Sequence, residues 1–305
     1  MQKRKLYLGR GTVRPNRQNK KRSESGKPLF TDDIGKIVQK KRGIFKIDDI
    51  AFFDYTVTSP ISGMKNIGYV RDLPSVQLDF IGRSQKEVEN TRLLHKSMIE
   101  KLDGIVTMTV PLYKHIKELY DVSKPFRLFR NHPSWFETPH GKRDEFVYIG
   151  AIPVKFDNTL GFLSELTEMT GYPAHFIRRK DYKSNSQAQV CMHLNDYDYG
   201  SAYGLLINEN DFPQAEECLP RKLFRYLMCG IKPVFHESFV ESIEYCREHR
   251  VWPLVYCDIQ DLVDKLPEHD FGPGMDFENR RKFSMEENVG ELIEKLDSLG
   301  NEIGS

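Results

Sequence analysis

Short apolar runs alternate with amphipathic stretches from residue 48 onwards. The stretch 85–102 repeats apolar residues at helical spacing and predicts a helix, and Pro111 opens the next one. This alternation of strands and helices predicts a parallel, doubly wound α/β sheet. The side of the first helix that we expect to be buried carries Val88, Leu94, Met98, Ile99 and Leu102. The predicted strands are residues 50–53, 66–70, 104–110 and 126–129.

A second series of the same kind follows residues 132–144, which are rich in proline, glycine, histidine and charge. We interpret those residues as a linker between domains. In the second series, residues 186–194 are predicted to be helical, and a capping box from Ser284 to Glu287 starts the final helix. The predicted strands are residues 146–150, 175–178, 204–207, 232–235 and 251–256.

Length and composition fit two α/β domains, which we place at residues 29–135 and 136–305. The 305 residues are 39% hydrophobic and 29% charged, as in soluble globular proteins. No run approaches the roughly 18 apolar residues of a membrane span, and the N-terminus lacks the apolar core of a signal peptide. The five cysteines form no C-x-x-C pair, which indicates a reducing compartment and counts against a disulfide framework or a zinc site. The sequence therefore predicts a cytoplasmic protein.

Residues 1–28 differ from the rest, because they are basic and poor in core residues. One interpretation is a solvated terminus, and the other is a patch for an anionic membrane surface or a polyanionic acceptor. The net charge of +1 counts against general binding of polyanions such as nucleic acid. Under the second interpretation we expect a peripheral contact with the membrane.

The most informative stretch is residues 220–234, which predicts a short helix, a stop and a strand. Pro220 fits the first helical position, where its missing N–H is not needed. Gly230 stands where the chain leaves the helix, a position that favours a left-handed residue. The apolar face of the helix consists of Leu223, Phe224, Leu227 and Met228.

This stretch resembles the donor-binding segment of retaining, nucleotide-sugar-dependent glycosyltransferases of the GT-B fold, of the family 4-like type. The resemblance covers residues 64–300, is strongest at 204–240 and moderate at 99–150, and is poor before residue 60. It implies two Rossmann-like domains with an interdomain cleft and a reduced N-terminal, acceptor-side domain. It also implies transfer of a sugar from a nucleotide diphosphate donor to a hydroxyl of a glycan or lipid-linked glycan, with retention and without a metal or other cofactor.

The resemblance assigns four site residues. Lys222, in the first turn of the helix, contacts the donor diphosphate, and Gly150 at the end of a predicted strand lets backbone approach it. Glu217 matches the acid near the transferred sugar, and Asp72 matches a catalytic acid at the cleft. Each also has a structural interpretation: a surface lysine, a strand-end turn, a solvated loop acid and a turn-forming aspartate.

Arg225 departs from the family, which usually has a glutamate there that accepts hydrogen bonds from ribose. A guanidinium cannot accept a hydrogen bond. Three explanations stay open: another acid such as Glu237 holds the ribose, Arg225 contacts phosphate, or donor binding has decayed. Metal ligation offers no alternative, because the candidate ligands lack metal-ligand spacing. Those candidates are His193, His236, Asp196 and Asp198.

Two alternative functions follow from these departures. A non-catalytic glycosyltransferase homologue that binds a nucleotide or a partner would fit Arg225 and the reduced first domain. A glycosyltransferase that acts on nucleic acid would fit the basic N-terminus, although the near-zero net charge counts against it.

Overall fold

The computed structural model forms two compact α/β units. One unit is Met1–Arg130 together with Met285–Ser305, and the other is Asn131–Ser284. The residues that the structure describes are 44–47, 49–54, 60–130, 132, 145–149, 158–177, 189–191, 202–208, 211–273 and 277–304.

The first unit contains a five-stranded sheet in the order β1-β2-β3-β4-β5. Strands β2 to β5 are parallel, as predicted, and β1 is an antiparallel edge strand that the sequence analysis did not predict. Its partner β2 has Phe52 and Phe53 fully buried, so the β1–β2 pair begins the core of this unit. The strands are β1 (Ile44–Ile47), β2 (Ile50–Asp54), β3 (Lys65–Val70), β4 (Gly104–Thr107) and β5 (Phe126–Leu128).

Helices α1 (Pro74–Phe80), α2 (Gln85–Glu100) and α3 (Val110–Tyr120) connect these strands. Helix α2 was predicted, but its buried side differs from the expectation. His95 and Ile99 are buried one turn apart, whereas Leu94 is 58% exposed. Residues 94 and 95 lie about 100° apart around a helix, so the face that contains His95 and Ile99 turns Leu94 outwards.

The second unit contains six parallel strands in the order β8-β7-β6-β9-β10-β11. Counted from β6, this is the 3-2-1-4-5-6 order of doubly wound nucleotide-binding sheets. The order reverses between β6 and β9, and we call this place the reversal point. The strands are β6 (Phe146–Ile149), β7 (Ala174–Ile177), β8 (Gln189–Cys191), β9 (Tyr203–Leu206), β10 (Lys232–His236) and β11 (Leu254–Tyr256).

Strand β8 corrects one prediction, because residues 186–194 were expected to be helical. Residues Gln189–Cys191 instead pair in parallel with β7 as the edge of the sheet. Glutamine and alanine favour a helix locally, and the pairing with a distant strand overrides that preference.

The helices of the second unit are α4 (Asn158–Thr170), α5 (Arg221–Cys229), α6 (Val240–Glu248) and α7 (Ile259–Lys265). Helix α5 starts one residue later than predicted, with Pro220 as its N-cap. It ends at Gly230, whose φ of 73° is the left-handed conformation expected there. A Cβ atom at Gly230 would lie 2.3 Å from Nη1 of Arg280, so a larger residue there would displace the end of that side chain.

The last helix, α8 (Met285–Gly304), begins where the capping box predicted but belongs to the first unit, which differs from the predicted boundary. Glycines make the contact close: a Cβ at Gly300 would lie 2.6 Å from the Ile50 side chain, and one at Gly104 would lie 3.0 Å from Leu299. The apolar side of α8 is buried there and consists of Leu292, Leu296 and Leu299. Across the described stretches, no helix has the length and apolar character of a membrane span.

Candidate functional site

At the reversal point of the second sheet, a side chain from α5 forms hydrogen bonds to both strands. Strands β6 and β9 pair only through Phe146–Val147 and Tyr203–Gly204. Beyond that pair, the backbone N–H of Ile149 donates to the hydroxyl of Tyr226 at 3.0 Å. The same hydroxyl lies 3.1 Å from the Leu205 carbonyl oxygen and 3.2 Å from that of Val147. The phenol therefore replaces strand pairing where the two strands separate.

Tyr226 fits this place because of its burial and its neighbour on β9. The ring is fully buried, and burial raises the pKa of its phenol far above the usual range, so it remains a neutral hydrogen-bonding group. A Cβ atom at Gly204 would lie 2.6 Å from Cγ of Tyr226. Glycine at position 204 is thus required for the ring to reach the reversal point.

Lys222 lies at the same edge of the sheet. Helix α5 follows β9, so its first turn is at the carboxyl ends of the parallel strands. The half-buried Lys222 extends its ammonium over the ring of Tyr148 on β6, with Nζ 4.1 Å from the ring centroid. An ammonium and the positive end of a helix therefore meet at the reversal point, where doubly wound sheets bind phosphate groups.

The other residues predicted around Lys222 occupy separate places. Gly150 lies outside the described residues, directly after Ile149. Glu217 is half-buried in the turn that precedes α5, and its backbone N–H donates to the Gln214 carbonyl at 3.3 Å. It precedes the helix that carries Lys222 by four residues, so it shares the carboxyl edge of the sheet.

Arg225 and Glu237 lie near different cysteines. Burial raises the pKa of the Cys229 thiol to about 12, and the charge of Arg225 acts against that rise. Glu237 is exposed after β10, where its backbone N–H donates to the Tyr256 carbonyl at 2.9 Å. Burial raises the pKa of Cys257, and nearby carboxylates, including that of Glu237, raise it further.

Asp72 belongs to the first unit. It follows the carboxyl end of β3 by two residues, and its Oδ2 lies 3.3 Å from Nε of Arg71. Its side chain is half exposed. This is a strand-end position of the kind that parallel sheets use for functional groups.

A hydrogen-bonded set of three side chains was not predicted. Ser238 Oγ accepts a hydrogen bond from Asn208 Nδ2 at 2.8 Å and lies 2.9 Å from Nδ1 of His236. Asn208 follows β9 by two residues and His236 ends β10, so the set spans two neighbouring strand ends. The sequence analysis considered His236 only as a metal ligand. A histidine and a serine two residues apart at a predicted strand end were the available signal.

Metal ligation has no candidate cluster in the parts of the chain that the structure covers. Among those residues, no group of three or more His, Cys, Asp or Glu side chains is placed to hold an ion. The positive charge at the reversal point comes instead from Lys222 and the start of α5.

Comparison with known proteins gives structural matches only. No family model and no curated protein matches the sequence. The sucrose-phosphate synthase from Thermosynechococcus elongatus is 13% identical, with a TM-score of 0.48 over 77% of this chain and 69% of that one. S. aureus TarM is 12% identical, with a TM-score of 0.49 over 81% of this chain. This chain spans 54% of the length of TarM.

A plant protein has a similar structural match. Arabidopsis thaliana UGT89C1, in a complex with quercetin, is 10% identical, with a TM-score of 0.42 over 87% of this chain and 76% of that one. The chain has two parallel-sheet α/β domains and is similar in structure to GT-B glycosyltransferases.

Proposed function

We propose that the protein is a glycosyltransferase that binds a nucleotide-activated sugar at the reversal point and transfers the sugar to a hydroxyl acceptor. The observation that carries the proposal is the position of the Lys222 ammonium, 4.1 Å from the Tyr148 ring centroid. Tyr148 comes from β6, and Lys222 comes from α5, the helix that follows β9, so the two residues belong to the chain segments of the two strands that flank the reversal point. A donor diphosphate is the part of such a substrate that this charge suits best.

The chemistry required of this site is the departure of a nucleoside diphosphate. Negative charge develops on the leaving phosphate as the glycosidic bond breaks, and a fixed ammonium beside a helix N-terminus stabilises it. Lys222 supplies this charge in the proposal, and the family resemblance assigns Gly150 to the same donor pocket. Because the charge comes from protein groups, the reaction proceeds without a metal ion.

Two acids have roles in the proposal. Glu217, at the same edge of the sheet as Lys222, contacts the transferred sugar, and Asp72 keeps the role of a catalytic acid that the family resemblance implies. The anomeric configuration is retained. A hydroxyl of a glycan or of a lipid-linked glycan is the acceptor, and the basic residues 1–28 provide contact with an anionic membrane surface.

The direct experiment is a donor assay with the full chain and a panel of UDP-, GDP-, ADP- and dTDP-sugars. We expect one donor to release its nucleoside diphosphate, faster when a hydroxyl acceptor is added and equally fast in EDTA. The anomeric configuration of the first product, read by NMR, tests retention. Loss of activity in EDTA that manganese or magnesium restores would contradict the metal-independent mechanism.

A non-catalytic binding module is the second candidate, and Arg225 is the observation that favours it, because it removes an acceptor that the family uses for ribose. This candidate predicts binding of a nucleoside diphosphate without hydrolysis or transfer of any donor. Calorimetric titration beside the donor assay therefore separates the two functions. Binding with turnover supports the enzyme, and binding without turnover for any donor and acceptor supports the module.

A further inference from the structure

His236 has its imidazole fixed by neighbours at the carboxyl end of β10. The backbone N–H of Ser238 donates to Nδ1 at 3.3 Å, and the Ser238 hydroxyl lies 2.9 Å from the same nitrogen. The edge of the ring meets the ring of Tyr256, with centroids 5.5 Å apart and planes at 86°. Because a backbone N–H can only donate, Nδ1 accepts, and the neutral ring carries its proton on Nε2.

The support for this orientation extends to the next strand. Asn208 donates from Nδ2 to Ser238 Oγ at 2.8 Å, and its Oδ1 accepts from the backbone N–H of Phe212 at 2.7 Å. Asn208 is 7% exposed, so its amide is held in one orientation by both bonds. A serine held in this way keeps the imidazole in one position, as supporting residues do for functional histidines.

Because these contacts engage Nδ1, the other ring nitrogen, Nε2, is the one that can bind a ligand. Within the described part of the chain it has no hydrogen-bond partner, and His236 is only half-buried. Strand β10 is two positions from β6 in the sheet, which corresponds to about 10 Å. Lys222 lies over Tyr148 of β6, so a nucleotide whose diphosphate contacts Lys222 is long enough to span this spacing between strands towards β10.

We infer that His236 donates a hydrogen bond from Nε2 to a ribose hydroxyl of the nucleotide. The inference rests on the proposed function, in which Lys222 takes the diphosphate and Glu217 the transferred sugar, so that the nucleoside remains to be bound. It also explains how ribose is held although Arg225 replaces the family's glutamate. A ribose hydroxyl has one donor and two acceptor sites, so it can accept from an imidazole N–H where it would donate to a carboxylate.

Two substitutions of His236 distinguish the contributions of its two ring nitrogens. His236→Asn places an amide at the position of Nδ1 and keeps an acceptor for the Ser238 N–H, but it removes the donor at Nε2. His236→Gln places an amide nitrogen near Nε2. We expect His236→Asn to weaken nucleoside diphosphate binding about fivefold, as for one lost hydrogen bond, and His236→Gln to remain close to the unsubstituted protein.

The experiment is calorimetric titration of the unsubstituted protein and both variants with the nucleoside diphosphate that binds, and with its 2′-deoxy and 3′-deoxy forms. Thermal unfolding of each variant confirms its fold. One deoxy form should bind the unsubstituted protein about fivefold more weakly but bind His236→Asn as well as the full nucleotide does. Glu237→Gln, included in parallel, should keep the preference for the ribose hydroxyl.

The results that would contradict the inference can be told apart from those that would contradict the proposed function. If His236→Asn binds the nucleotide as the unsubstituted protein does, or if only Glu237→Gln loses the ribose preference, His236 is not the ribose contact and the proposed function stands. If His236→Gln is as weak as His236→Asn while both are folded, the Nε2 donor is likewise excluded. If the unsubstituted protein binds no nucleoside diphosphate, the proposed function and this inference both fail.

Discussion

The hydroxyl of Tyr226 accepts a hydrogen bond from the backbone N–H of Ile149, 77 residues earlier in the chain, at 3.0 Å. A helix side chain thereby satisfies the last backbone donor of β6 at the place where β6 and β9 separate. In most sheets a neighbouring strand would do this. The crevice that doubly wound sheets use for ligands is, in this protein, stabilised by one phenol.

Removal of that hydroxyl should destabilise the protein. Tyr226→Phe leaves the buried N–H of Ile149 without its acceptor, and we expect the free energy of unfolding to fall by about 1–3 kcal/mol in denaturant titrations. Tyr113→Phe is the matched control, because its hydroxyl donates one half-buried bond to the Lys124 carbonyl at 2.6 Å. That control should cost about 0.5–1.5 kcal/mol. An equal or smaller loss for Tyr226→Phe would mean that water replaces the phenol.

Gly204 should tolerate no side chain. Gly204→Ala places a Cβ 2.6 Å from Tyr226 Cγ and 2.8 Å from Ile231, and we expect a loss of about 1–3 kcal/mol in the free energy of unfolding. Gly161→Ala is the control within α4, where a Cβ meets nothing within 4 Å. Alanine in a helix should stabilise the protein by about 0.5–1 kcal/mol. Effects of the same sign in both variants would contradict the packing described for Tyr226.

Lys222→Ala tests the charge at the reversal point. We expect nucleoside diphosphate binding to weaken by about 1.5–3 kcal/mol, the range for a hydrogen bond to a charged group. The fold should persist, because a cation–π contact contributes only about 0.5–2 kcal/mol. Lys265→Ala removes the same charge from an ion pair with Asp261 and should leave affinity unchanged. Unchanged affinity of a folded Lys222→Ala would remove Lys222 from the site.

Arg225→Glu restores the residue that is usual in the family that the sequence resembles. Because we assign ribose to His236, the phosphate-contact explanation of Arg225 is retained, and the reversed charge should weaken donor binding by more than about tenfold. Arg247→Glu makes the same reversal in an exposed pair with Glu244 and serves as the control. Stronger binding of Arg225→Glu would instead support the explanation that the site has decayed, and no change would make Arg225 an ordinary surface residue.

The helix–glycine–strand stretch could be predicted to within one residue because its signals are local. Pro220, Gly230 and one apolar face lie within a few turns of the same helix. Strand β8 could not be predicted from the sequence, because its conformation is set by pairing with β7 rather than by its own residues. The residues of the site differ in the same way. The position of Lys222 in the first turn follows from the local signals for the start of the helix. The contacts of Tyr226 and the Asn208–Ser238 bond join residues 21 to 79 positions apart, and no local signal predicts them.

The position of α8 in the first unit has a consequence for synthesis of the chain. Its contacts with β5, such as the bonds from Lys295 to Leu128 and from Arg127 to Ser298, join residues 167 and 171 positions apart. The second unit contains only residues between these partners, so a ribosome finishes it before the helix that covers the first sheet emerges. We expect the second unit to fold first and the earlier-translated sheet to wait for its last helix, so that the order of folding reverses the order of translation.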